Sequence, residues 1–358
     1  MKFIHAADTH LCLSMQNSLL PHEVAEKHRK RLLATFKALM NEAAKRCVDA
    51  VFLSGDIFEA KYAKSSDVKF VCDLMAQIPN TRIFISCGNH DFLTDNSFYN
   101  TVEFPENVTI FPPELAMLEM EEHNACIYGF SWNRSRYDAL PFDFPDPDKS
   151  KINILCVHAD LKTDSDYLRI NPNTLSGIGF DYVALGHIHK PEFIRKNIAY
   201  PGSLEPLDFG EEGEHGFIYG EINAKELHCE FVPFASCEFK SAELDISQIT
   251  TYTELCEKIY EQLPPSPCIM ARLTLKGTKN ENIEPNLITD EISKAYLSLQ
   301  LKDESVPDYD LLEIYRQNED NLIGRFTLSL MHDAKEDETS RRALYEGLKV
   351  LLENKGAK

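Results

Sequence analysis

The chain has 358 residues, 43% of them apolar and 26% charged, with 37 lysines and arginines against 57 acids, a net charge of −20. This globular composition excludes a collagen, a coiled-coil rod and a mostly disordered chain, and the length can bury a core without disulfide or metal staples. The charge excludes a protein that coats nucleic acid or anionic lipid by bulk attraction, though not one with local basic patches.

Short runs rich in Val, Ile and Phe predict strands at 2–7, 50–54, 82–87, 125–130, 152–157, 182–185 and 217–222. Between the first two, Leu32, Leu33, Phe36, Leu39, Met40 and Ala43 recur at helical spacing, so a helix is expected over 24–46. A second is expected at 66–77. Alternation of this kind implies an α/β domain. The prolines and acids of 141–151 predict a loop. After 233 the composition shifts. Strands are expected at 238–246, 267–276 and 296–302, with helices at 252–263 and 285–295, a second α/β unit. From 309 to the end the pattern is helical, with Leu344, Leu348, Leu351 and Leu352 as a stripe. The expected division is therefore 1–235, 236–305 and 306–358.

The ten cysteines are scattered and form no CxxC pair, which argues against a cysteine zinc site. Such usage suits a reducing cytosol. The opening MKFIHAADTH lacks the long apolar region of a signal peptide. No stretch approaches the roughly 18 apolar residues of a membrane span. A cytoplasmic protein without membrane contact is expected.

The chemistry lies where the strands stop. The first ends in Asp8-Thr9-His10, the second in Gly55-Asp56 and the third in Gly88-Asn89-His90-Asp91; later ones end in His158 and in Gly186-His187-Ile188-His189. Open α/β sheets gather ligands outside the carboxyl ends of their strands. In extended chain, positions i and i+2 share a side, so Asp8 with His10, and His187 with His189, can reach into one site. A single DxH or HxH pair is weak, and His158 taken alone reads as a structural histidine. Five strand ends carrying Asp, His and Asn in succession are another matter. A mixed N/O donor set suits two ions of Mn, Fe or Zn better than Ca or Mg. A carboxylate such as Asp56 can bridge two ions about 3.5–4 Å apart, the spacing of two-metal hydrolytic sites.

The order DxH, GD, GNHD, H, GHxH resembles the five motifs of the calcineurin-like metallophosphoesterases. FIHAADTHL, VDAVFLSGDIFE and YVALGHIHKPE followed by YPGSLEPLDFGEEGEHGF look closer still to the SbcD-like and YhaO-like DNA repair exonuclease branch. The resemblance covers about 1–235. It implies a four-layer α/β fold, two β-sheets sandwiched by helices, with a small α/β capping domain and C-terminal helices beyond. It implies one ion held by Asp8, His10, Asp56 and His189, and another by Asp56, Asn89, His158 and His187. Mn would be the activating ion, with Fe or Zn as alternatives. A hydroxide generated between the ions would attack phosphorus. His90 would assist as proton donor or by stabilising charge. Asp91 would orient His90, or serve equally well as a turn residue.

The function implied is a metal-dependent DNA exonuclease or endonuclease of repair. The alternative is the same chemistry on a cyclic nucleotide, a nucleotide pyrophosphate or a phosphoprotein. For DNA, Lys27, Arg29, Lys30 and Arg31 are the candidate phosphate contacts, against the plainer reading of a solvated helix face. The resemblance also allows an SMC-like ATPase subunit as partner. It allows a homodimer through apolar positions of helix 66–77 and of 92–104, which core packing would equally explain.

Overall fold

A computed structural model describes residues 1–15, 20–137, 139–161, 167–280, 282–335 and 337–355. The chain divides into two compact units, Met1–Phe239 and Lys240–Lys358.

The first unit begins with β1 (Lys2–Ala6), α1 (His22–Arg46), β2 (Ala50–Ser54), α2 (Ser65–Ala76), β3 (Arg82–Ser86), α3 (Phe98–Thr101) and β4 (Val108–Ile110). It continues with β5 (Ala116–Met120), β6 (Ala125–Phe130), β7 (Ile152–His158), α4 (Pro172–Ile178), β8 (Tyr182–Gly186), β9 (Glu192–Arg195), β10 (Ile198–Tyr200), β11 (Gly216–Asn223) and β12 (Glu226–Pro233). Among the described residues these strands form two six-stranded sheets, ordered β12-β11-β1-β2-β3-β4 and β5-β6-β7-β8-β10-β9. The centres are parallel: β1 to β4 in one sheet, β6, β7, β8 and β10 in the other.

The apolar runs of these central strands follow from burial on both faces. Phe3, Phe52 and Phe84 of one sheet meet Ile154, Tyr182 and Ala184 of the other in a shared inner layer. The alternate residues Ile4, Val51, Leu53 and Ile85 point outward, against Leu32, Phe36 and Leu39 of α1 and Val68, Val71 and Met75 of α2. Each such side chain, fully buried, contributes about 1.5–3 kcal/mol. On the far side Leu155, Val157, Val183 and Leu185 pack with Leu175 of α4. The order of layers is helix, sheet, sheet, helix, as the resemblance implied. The apolar stripe of α2 is spent on this core.

The second unit holds β13 (Glu238–Asp245, whose first two residues belong to the first unit), α5 (Tyr252–Gln262), β14 (Ser266–Lys276), β15 (Thr278–Lys279), α6 (Thr289–Ile292), β16 (Tyr296–Asp303), β17 (Val306–Pro307), α7 (Leu311–Arg316), α8 (Leu322–Leu330) and α9 (Glu338–Lys355). A sheet ordered β13-β14-β16 packs on α5, with Leu255 and Ile259 in its core. Leu344 and Leu348 of α9 pack with Ile323 of α8. The helix expected over 285–295 is broken into a 3₁₀ turn (Pro285–Ile288), α6 and a second 3₁₀ turn (Ser293–Ala295). The Thr289 and Ser293 hydroxyls bond back to Pro285 O and Asp290 O, which competes with the helical ladder. Residues 356–358, which the pattern carried into the final helix, lie outside the described residues. Among the described residues no helix is long and apolar enough to cross a membrane.

Candidate metal centre

Parallel strands deliver their carboxyl ends to one side of a sheet, and the candidate ligands stand there. Asp8 and His10 follow β1, Asp56 follows β2, Asn89 and His90 follow β3, His158 closes β7, and His187 and His189 follow β8. Hydrogen bonds join the two groups of ends. His158 Nδ1 donates to Ser54 O at 2.9 Å, and the Asp8 carboxylate accepts the His187 backbone N–H at 3.0 and 3.1 Å.

The backbone here is unusual. Asp8, His10, Asp56 and His187 have φ of 49°, 40°, 51° and 102°. Non-glycine residues hold such angles only where their surroundings enforce them, and such positions cluster at functional sites. Two glycines allow the close approach. A Cβ on Gly88 would sit 2.2 Å from Asp56 Oδ1, and one on Gly186 would sit 1.8 Å from Ser54 O.

The donor atoms converge. Asp8, His10 and His189 offer atoms within 4.8 Å of one another, as do Asp8, Asp56 and His158. His10 Nε2 lies 3.3 Å from His189 Nε2 and 3.8 Å from Asp56 Oδ2; His189 Nε2 lies 3.8 Å from Asp8 Oδ1. His158 Nε2 lies 3.0 Å from Asn89 Oδ1 and 3.4 Å from Asp56 Oδ2. Because His158 Nδ1 gives its proton to a carbonyl, Nε2 keeps a lone pair facing the cluster. His187 packs on the His158 ring at 5.1 Å between centroids, with Nε2 4.0 Å from Asp160 Oδ2. It stands at the rim of the set.

The electrostatics draw positive charge. Asp8 and Asp56 are 0% and 2% exposed. Burial pushes the Asp8 carboxyl up. Burial pushes Asp56 up as well, but His158, His10 and His90 more than reverse this and hold it at about 2. The Glu59 carboxylate raises His90 to about 9. Burial lowers His189, yet Glu211 and Asp8 overcome it and raise it to about 9. Burial and the neighbouring His158 ring hold His187 down to about 3. Two imidazole nitrogens 3.3 Å apart among buried carboxylates need a cation or a proton between them. The buried Nδ1 of His10, with no hydrogen-bond partner among the described residues, lies 3.5 Å from Glu59 Oε2. The donor set therefore fits divalent cations.

Of the two roles expected of Asp91, its contacts match the turn role. The Asp91 carboxylate accepts backbone N–H groups of Ile57, Phe58 and Gly88 and the Tyr99 hydroxyl, at 2.6–3.2 Å. It ties the Asp56 and Asn89 loops together. The ring of His90 is held instead by Glu59, whose Oε2 lies 3.0 Å from Nδ1. Glu59 closes the quoted stretch VDAVFLSGDIFE, but nothing in its spacing from Asp56 assigned it a role. Of the basic run on α1, Lys27 and Lys30 are exposed. Arg29 lies 3.6 Å from Asp67, and Arg31 donates to Ser236 O at 3.0 Å.

Comparison with known proteins identifies the family. An uncharacterized metallophosphoesterase of Bacillus subtilis, YhaO, is 26% identical over 348 residues, 90% of this chain and 84% of that protein. The DNA double-strand break repair protein Mre11 of Archaeoglobus fulgidus is 24% identical over 370 residues, 92% of this chain and 80% of that one. A subunit of the nuclease SbcCD from Staphylococcus epidermidis is 24% identical over 270 residues, 65% of this chain and 69% of that one. Residues 1–191 match the family model of the calcineurin-like phosphoesterases, and the chain belongs to that family.

Proposed function

We propose that this chain is a dinuclear phosphodiesterase that cleaves DNA, with Asp8, His10, Asp56 and His189 holding one ion and Asp56, Asn89, His158 and His187 the other. The observation that carries the reading is the convergence of donor atoms of Asp8, His10, Asp56, His158 and His189, with Asn89 against His158 and His187 at the rim, beside a half-exposed His90. Divalent ions, Mn in this proposal, supply Lewis acidity and a water of lowered pKa when bound. His90 supplies the remaining charge. Glu59 holds its Nδ1, so Nε2 is left to donate toward a phosphoryl or leaving oxygen. Asn89, a neutral ligand, leaves net positive charge for an anionic substrate.

DNA as substrate is supported by the likeness to a double-strand break repair protein and to a nuclease subunit. An SMC-like ATPase partner, as the resemblance allows, and a homodimer are further expectations, and the likeness to one subunit of a nuclease supports a partner of this chain. Lys27 and Lys30, exposed on α1, are the phosphate contacts we favour, with Arg29 and Arg31 already engaged. Ten free thiols support a reducing, cytoplasmic setting. The net charge of −20 favours the second reading, a smaller phosphodiester or a phosphoprotein.

The test is the Mn-loaded protein with end-labelled single- and double-stranded DNA, beside bis-p-nitrophenyl phosphate. DNA should be degraded, EDTA should abolish this, and His90→Ala should slow it by about 10²–10⁴-fold. Intact DNA with hydrolysed small diester would move the substrate to the second reading.

A further inference from the structure

The segment between β10 and β11 packs along the His187–His189 loop. Ser203 N donates to His189 O at 2.9 Å, and Ser203 bridges to Ala7, the neighbour of Asp8. From the same segment Glu211 reaches the ring of His189, with Oε1 2.5 Å from Nδ1. Its other oxygen accepts the Leu207 N–H at 2.9 Å and lies 3.1 Å from Ser203 Oγ. Behind it stands buried His215, whose Nε2 donates to the Glu211 carbonyl at 3.0 Å and whose Nδ1 lies 2.9 Å from Ser203 Oγ. Glu211 is thus gripped at its side chain and its backbone.

A carboxylate only accepts, so His189 Nδ1 carries the proton and gives it to Glu211. An ion seated beside Asp8 and His10 would then displace the Nε2 proton and take the Nε2 lone pair. Without Glu211 the ring is free to turn or to take the other tautomer, which would put a proton where the ion binds. We propose that Glu211 is a positioning residue of the metal centre, fixing the ring and tautomer of His189 and thereby the affinity of the ion that His189 holds with Asp8 and His10. The proposal rests on the two-ion reading above. It assigns no ligand role to Glu211, and it restricts the effect to one of the two ions. Loss of such an outer partner costs about 10–100-fold in metal affinity.

The test titrates metal-free full-length chain with Mn²⁺, read by calorimetry and by electron paramagnetic resonance. The wild type should bind two ions and show the spin-coupled signal of a pair. Glu211→Gln keeps the size of the side chain. It should bind one ion as before and the other about 10–100-fold more weakly, so that a single-ion signal replaces the pair signal at two equivalents. Glu211→Asp, which keeps a carboxylate, should recover part of the affinity. The neighbouring Glu212→Gln should behave as wild type. Undiminished binding of both ions by Glu211→Gln, or equal weakening of both, overturns the proposal while the two-ion reading stands. A wild type that binds no pair overturns both.

Discussion

Asp91 follows His90 directly in sequence, yet the two side chains do different work. Asp91 is buried and accepts three backbone N–H groups and a tyrosine hydroxyl. Leaving a buried donor without a partner costs about 1–3 kcal/mol. Asp91→Ala should therefore destabilise the protein by about 3 kcal/mol or more, read as a lower urea midpoint, whereas His90→Ala should leave the midpoint near wild type and slow the reaction by about 10²–10⁴-fold. Equal midpoints for Asp91→Ala and wild type would contradict this. The motif residues were legible because each closes an apolar strand, and strand ends converge in parallel sheets. Glu59 and Glu211 lie inside the quoted stretches VDAVFLSGDIFE and YPGSLEPLDFGEEGEHGF, but their roles were not legible. Both are acids in loops whose partners, His90 and His189, are 31 and 22 residues away. No local spacing announces such a contact. The role of Asp91 was ambiguous for the opposite reason: adjacency in sequence suggested a bond that the turn at 88–91 directs elsewhere.

At the scale of elements, the site depends on how closely β2 and β8 approach across the inner layer. Gly186 lies at that approach, where a Cβ would come 1.8 Å from Ser54 O. The clash is with backbone, so no side chain can swing away, and the strand ends must part. Gly186→Ala should cost about 1–3 kcal/mol of stability by overpacking. It should also weaken metal binding, because it moves His187 and His189 away from Asp8 and Asp56. A variant with wild-type melting temperature and metal affinity would refute the account of this contact. The central strands and the long helices were read from sequence because double burial leaves unbroken apolar runs and a helical stripe. Strands β4, β5, β9, β10 and β12 were not. They are very short or lie at sheet edges, where half of each strand faces water. In β12, for example, only Leu227 is buried.

For the whole molecule, the fold explains how an acidic chain can present a site for an anion. The net charge of −20 is spread over both units. The buried acids at the strand ends are the ones that draw cations, and two bound divalent ions would reverse the local sign. On the function proposed above, chemistry at phosphorus would rest on the centre itself and contact with DNA phosphates on the exposed Lys27 and Lys30. The most direct measurement is anomalous diffraction at the manganese edge from crystals soaked in Mn²⁺. The account predicts two peaks about 3.5–4 Å apart, one among Asp8, His10, Asp56 and His189 and one among Asp56, Asn89, His158 and His187. A single peak, or peaks away from Asp56, would contradict it.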